Sequence, residues 1–213
     1  MIIAIDGPAA AGKGTLARRL AERFDLALLD TGLLYRAVGR KVLDAGADPE
    51  DPTVAEGIAK TLDAQDLAAD GLRADETAQA ASKVSAIPGV RAALLKFQRY
   101  FAHDPPDGKA GAVLDGRDIG TVVCPDADIK LFIVASAEVR AERRLKELLG
   151  RGEEAIYARV LEEMKERDAR DMARSASPLE PAKDAIQMDT SELDAEQVFV
   201  RAMEIITSKN QYA

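Results

Sequence analysis

With 213 residues, 47% apolar and 31% charged side chains, the chain has the size and balance of one globular domain that can bury a substantial core. A formal net charge of −8 excludes a general nucleic-acid-binding role, which needs a basic surface. One cysteine, Cys124, and one histidine, His103, exclude an internal disulfide and a Cys/His metal cluster.

The first predicted strand is Ile2–Asp6, and the most informative stretch of the chain comes directly after it. Gly7-Pro8-Ala9-Ala10-Ala11-Gly12-Lys13-Gly14-Thr15 has the G-x-x-x-x-G-K spacing of a phosphate-binding loop between a buried strand and a helix. Its glycines let the backbone turn so that successive N–H groups face an anion, and the helix adds its positive end. Lys13 is placed to reach β- and γ-phosphate oxygens, and Thr15 to orient a hydroxyl toward a phosphate or its Mg²⁺. Leu16, Leu20 and Phe24 then repeat at helical spacing as the sheet-facing stripe. Asp6 and Lys13 also interrupt any early apolar run, so no leader peptide, no membrane span and a cytoplasmic protein are expected.

Ala27–Asp30 reads as a short buried strand ending in Asp30-Thr31-Gly32, and the helix after it carries Tyr35 and Arg36 and closes at Gly46. Residues 53–107 read as helical throughout, broken at Gly71 and at Ile87-Pro88-Gly89, with Ser82 and Arg91 flanking the second break. Ala112–Asp115 is the next strand and ends in Asp115-Gly116-Arg117-Asp118; Asp118 could also merely cap a short helix. Residues 130–135 and 185–189 complete five strands, separated by a basic helix after Ser136, a helix over 153–174, and followed by a closing helix over 196–207. Five strands alternating with helices predict a parallel α/β sandwich, one domain of the P-loop NTPase type.

The helix over 153–174 starts with an apolar stripe of Tyr157, Val160, Leu161 and Met164. Where that stripe should continue, Arg167, Arg170, Asp171 and Arg174 fall within an arc of about 100°. Guanidiniums on a core-facing stripe imply a cleft holding an anion, whereas a solvated face laced by Asp168 and Asp171 is the plainer alternative.

Together these segments resemble the bacterial cytidylate kinases. The resemblance spans nearly the whole chain, through Ile5–Thr15, Asp30–Arg36, Ala81–Arg91, Asp115-Gly116-Arg117-Asp118-Ile119-Gly120-Thr121-Val122-Val123 and Glu166–Arg174. It implies ATP with Mg²⁺ on Gly7–Thr15, and CMP or dCMP as the acceptor. It implies further that Arg36, Arg117 and Arg174 hold the acceptor phosphate, that Ser82, Arg91 and Asp118 read the cytosine edge, and that Arg167 and Asp171 contact the sugar. Thr31 stands where the family often has Ser. The implied catalytic set is Lys13, Arg117, Arg167 and Arg174, with an inserted acceptor-binding segment over about 36–107 and a lid over about 150–178. Longer members of that family carry a small β-sheet insert before the Ser82 segment, for which Leu62–Arg73 has little room. The expected reaction is phosphoryl transfer from ATP to CMP or dCMP by a monomer. The alternatives are a kinase of UMP or dTMP and a non-enzymatic nucleotide switch; the second lacks an Asn-Lys-x-Asp guanine reader.

Overall fold

Strand β1 (Ile2–Asp6) lies at the centre of a five-stranded parallel sheet. It pairs on one side with β3 (Ala112–Asp115) and on the other with β4 (Ile129–Val134). β2 (Ala27–Asp30) lies outside β3, and β5 (Ile186–Asp189) outside β4, which gives the order β2-β3-β1-β4-β5. The structure, a computed structural model, describes residues 1–63 and 65–210. Ala64, inside the Leu62–Arg73 stretch, and residues 211–213, at the end of the expected single domain, lie outside the described residues.

Alternation along β1 splits the core between the two faces of the sheet. Ile3 and Ile5 point to a face covered by α1 (Lys13–Phe24) and α8 (Ala195–Asn210), where Leu16, Leu20, Ala202 and Ile206 meet Ile129, Leu131 and Ile133. Ala4 points to the other face, where its small side chain admits α5 (Pro88–His103) and a single π-turn (Ile119–Val123). Each of these fully buried isoleucines contributes roughly 2–3 kcal/mol of burial free energy.

Between β2 and β3 the chain builds a second, all-helical core. α2 (Thr31–Asp44), α3 (Pro52–Lys60), α4 (Asp75–Val84) and α5 bury Leu34, Val38, Val42, Val84, Val90 and Leu94 together. Proline opens two of these helices, Pro52 in α3 and Pro88 in α5, where a missing N–H costs nothing. α5 joins the two cores, since its Leu95, Phe101 and Ala102 pack on the sheet.

α6 (Ala137–Gly150) and α7 (Tyr157–Ala173) form a third cluster with Ala9 and Ala10 of the loop after β1. α7 begins at Tyr157 rather than at the expected Glu153. Gly152, at φ +77°, ends α6, and residues 153–156 leave it without helical structure so that Ala155 and Tyr157 reach this cluster.

Candidate active site

Parallel pairing brings the carboxyl ends of β1, β2 and β3 to one edge, where open α/β sheets bind ligands. The loop Gly7–Gly12 leaves β1 there. Gly7 has to be glycine, because at φ +141° a Cβ would lie 2.0 Å from the Ile133 carbonyl oxygen. Ala10 at φ +58° and Gly12 at φ +94° complete a concave turn into α1. Among the described residues no protein hydrogen bond engages the N–H groups of Ala9–Gly14. Lys13 curls into the turn instead: its Nζ donates to the Pro8 carbonyl at 2.8 Å and lies 3.7 Å from Asp115. Burial first, and then Arg117, pull the Lys13 ammonium down to about 8, against the pull of Asp115. A cavity of about 750 Å³ opens beside the turn, between Gly12–Thr15, the carboxylates of Asp30 and Asp115, and Arg143, and it reaches Leu193–Ala195.

A second cleft, only about 50 Å³, lies between α2, the Gly116–Asp118 loop and α7. Its chemistry centres on Asp171, which is 1% exposed. Asp171 accepts from Arg117 Nε at 3.2 Å and from Arg174 Nη2. Burial alone would push its carboxyl up; Arg117, Arg174 and Arg167 more than reverse this and hold it below the usual carboxylate range. The guanidiniums outnumber it. Burial, then Arg117, push Arg167 down to about 9, with Arg36 and Arg174 adding to the effect, and its Nε has no partner among the described residues. Arg36 is also held below its ordinary value, by burial and then by Arg144, while its Nη1 donates to the Leu72 carbonyl at 2.9 Å. A cleft with an excess of guanidinium over carboxylate suits an anion.

Beyond Asp171 the cleft ends in a buried ion pair. Arg91 Nη2 donates to Asp118, its Nη1 donates to the Ser85 carbonyl at 3.1 Å, and its guanidinium carbon lies 5.4 Å from the centre of the Tyr35 ring. Asp118 stands at the head of the π-turn but makes no capping bond there; its carboxylate is committed to Arg91.

The glycine-containing turn and the arginine-rich cleft lie in one molecule, and comparison with known proteins supplies the family. A family model described as cytidylate kinase matches residues 3–208. A cytidylate kinase of Paramagnetospirillum magneticum is 65% identical over 98% of both chains, and one of Rhodospirillum rubrum is 56% identical over 99% of both. The chain belongs to the cytidylate kinase family. The crystal structure of an uncharacterized protein from Eubacterium ventriosum, 16% identical over 98% of this chain and 99% of that one, superposes with a TM-score of 0.53, a likeness of fold alone.

Of the residues that the resemblance to cytidylate kinases singles out, Thr31, Arg36, Arg91, Arg117, Asp118, Arg167, Asp171 and Arg174 line the one small cleft. Ser82 does not. It is buried, its hydroxyl without a partner among the described residues, and Ser85, whose Oγ donates to the Ser82 carbonyl at 2.9 Å, lines the cleft in its place. Ala10–Thr15 line the large cavity. Gly7, Pro8 and Ala9 form the inner side of the turn, with the Pro8 and Ala9 carbonyls turned to Lys13 and to Arg140.

The fold also places several residues to which the motifs assign no role of their own. Asp30 and Asp115 stand side by side in the β2–β3 register and both line the large cavity; that each ends a strand is the available signal. Arg140 holds Asp168 of α7 through two bonds of 3.1 and 2.6 Å and reaches the Ala9 carbonyl at 3.3 Å. Three further contacts tie the α4 side to α6 and α7: Arg144 to Asp75 at 2.9 Å, Arg151 to the Arg73 carbonyl at 2.8 Å, and Arg170 to Gln79 at 3.2 Å.

Proposed function

We propose that the protein phosphorylates CMP and dCMP at the expense of ATP. The observation that carries this reading is the uncompensated guanidinium cluster around Asp171, set beside a phosphate-binding turn in a member of the cytidylate kinase family. An oxygen of the acceptor phosphate attacks the γ-phosphorus in line. The new P–O bond forms as the bond to the β–γ bridging oxygen breaks, and ADP leaves with that oxygen. No protein nucleophile is needed, so catalysis is positioning and charge neutralisation.

The free amides of the turn, its buried ammonium and the 750 Å³ cavity fit a nucleoside triphosphate. Thr15, Asp115 and Asp30 fit Mg²⁺, as hard oxygen donors on one rim; among the described residues no third carboxylate, His or Cys joins the two acids, so phosphate oxygens would complete the shell. Bound there, Mg²⁺ supplies charge neutralisation on the donor phosphates. Lys13 follows the migrating phosphoryl group. Arg36, Arg117 and Arg174 take the acceptor phosphate, Arg167 and Asp171 the sugar, and Arg91 and Asp118, with Ser85 beside them in place of Ser82, the cytosine edge.

A slot of about 50 Å³ is far below the roughly 300 Å³ of small ligand pockets, so its own ion pairs occupy the nucleotide's place. Residues of about 150–178 act as a lid and those of about 36–107 as the acceptor-binding segment. Their separation admits CMP, and Asp171 then hands guanidiniums to the phosphate. Product analysis tests this: ATP, Mg²⁺ and CMP should give CDP and ADP in equal amounts, with almost no ADP when CMP is left out. ADP release that ignores CMP would overturn the proposal.

A further inference from the structure

Asp6 is the last residue of β1, and the phosphoryl transfer itself makes no use of it. Its carboxylate is buried, 4% exposed, and it accepts two backbone hydrogen bonds from a distant part of the chain. The Ile119 N–H meets Oδ1 at 2.8 Å and the Gly120 N–H meets Oδ2 at 2.7 Å. These are the first two amides of the π-turn, the kind that lack a partner within their own turn. The residue placed to cap them, Asp118, is committed to Arg91 instead, so the cap comes from β1. Gly120 keeps this approach uncrowded: a Cβ there would lie 3.2 Å from Lys130 Cδ and 3.4 Å from Asp6 Oδ2. Immediately before the two gripped amides stand Arg117, which turns to Asp171, and Asp118, which turns to Arg91.

We infer that Asp6 is a positioning residue of the acceptor site: by holding the Ile119 and Gly120 amides it fixes the loop that presents Arg117 to the acceptor phosphate and Asp118 to the base. The inference rests on the reading of that cleft as the CMP site. Only the ionised carboxylate offers a full acceptor to both amides. Burial pushes Asp6 up to about 7; the two amides and Lys13 pull it down, and Asp118 adds to the rise. The charged or titratable groups around it are Lys13 at the head of α1, Asp118 and Cys124 at the two ends of the π-turn, and Lys130 on β4.

The test compares Asp6→Asn with the wild type. Asparagine keeps one acceptor and turns a donor toward the other amide, as the neutral acid does. At pH 8.5 the KM for CMP should rise about 10-fold, with kcat and the KM for ATP changed by less than ~3-fold. As pH falls through about 7 the wild type takes up its own proton, so the ratio of the two KM values should shrink toward about 1 at pH 6. The titration of the CMP phosphate is common to both proteins and cancels in the ratio, whereas that of Lys13, which Asp6 influences, is followed separately through the KM for ATP. In the wild type alone, the ¹⁵N–¹H resonances of Ile119 and Gly120 should titrate with a midpoint near 7. Unmoved resonances overturn the inference even if the variant does not fold. A KM ratio of one at pH 8.5, or one constant with pH, overturns it while CMP kinase activity stands. A wild type that ignores CMP removes the functional reading and this inference together.

Discussion

Arg167 carries the strongest conflict between stability and use in the molecule. It stands half-buried among like charges with its Nε enclosed, and the carboxylate that acts on it most, Asp171, is already shared by Arg117 and Arg174. A buried charge without a full partner destabilises a fold, whereas an apolar side chain of similar reach does not. Arg167→Met should therefore raise stability by about 1–2 kcal/mol, or a melting temperature a few degrees higher, while kcat/KM for CMP falls at least ~10²-fold. A thermal scan and steady-state rates on one preparation measure both. A lower melting temperature with normal turnover would make Arg167 a structural residue. Asp118 poses a separate question, that of base choice. A carboxylate accepts from the amino group of cytosine but faces only a carbonyl oxygen on uracil, a mismatch worth roughly 10²-fold. In Asp118→Asn the CMP/UMP ratio of kcat/KM should narrow by about 10-fold or more. If both rates fall together at constant ratio, Asp118 organises the loop and leaves the base unread.

At the scale of elements the question is closure, because the described residues of Leu62–Arg73 form a short 3₁₀ turn over Gln65–Ala68 and a turn over 70–73. The Arg144–Asp75, Arg151–Arg73 and Arg170–Gln79 contacts supply a polar clasp between this side and α6–α7. Loosening it should admit water to the donor phosphates. Arg144→Gln is expected to raise ATP hydrolysis without acceptor by about 3–10-fold and the KM for CMP by a similar factor, both read by phosphate and ADP release. Unchanged values would class the clasp with ion pairs that contribute nothing measurable. Elements were the most legible level in the sequence. β1, β2 and β3 have the expected bounds and β4 and β5 differ by one residue, because buried parallel strands are short apolar runs with polar ends. The start of α7 was not legible. Glu153 and Glu154 suit a helix N-terminus by composition, and only the packing of Ala155 and Tyr157 on α6 decides otherwise.

The whole molecule hangs two satellite cores on one parallel sheet, the α2–α5 core on one side of the cleft and the α6–α7 cluster on the other. That arrangement lets a chain of net charge −8 gather Arg117, Arg167 and Arg174 around Asp171, with Arg36 lining the same cleft. The turn after β1 could be read locally, since all its parts lie within nine residues of one another. The partners of Asp6, 113 and 114 residues away, and the Arg140–Asp168 pair, 28 residues apart, follow only from strand order and helix packing. The most direct test of the account is an ADP-release assay over CMP, dCMP, UMP, dTMP and cytidine at fixed ATP and Mg²⁺. It predicts rapid turnover with CMP and dCMP, kcat/KM at least ~10²-fold lower for UMP and dTMP, and no more than the acceptor-free rate for cytidine, which has no phosphate for the arginines to hold. Turnover with cytidine, or with ATP alone, equal to that with CMP would contradict it.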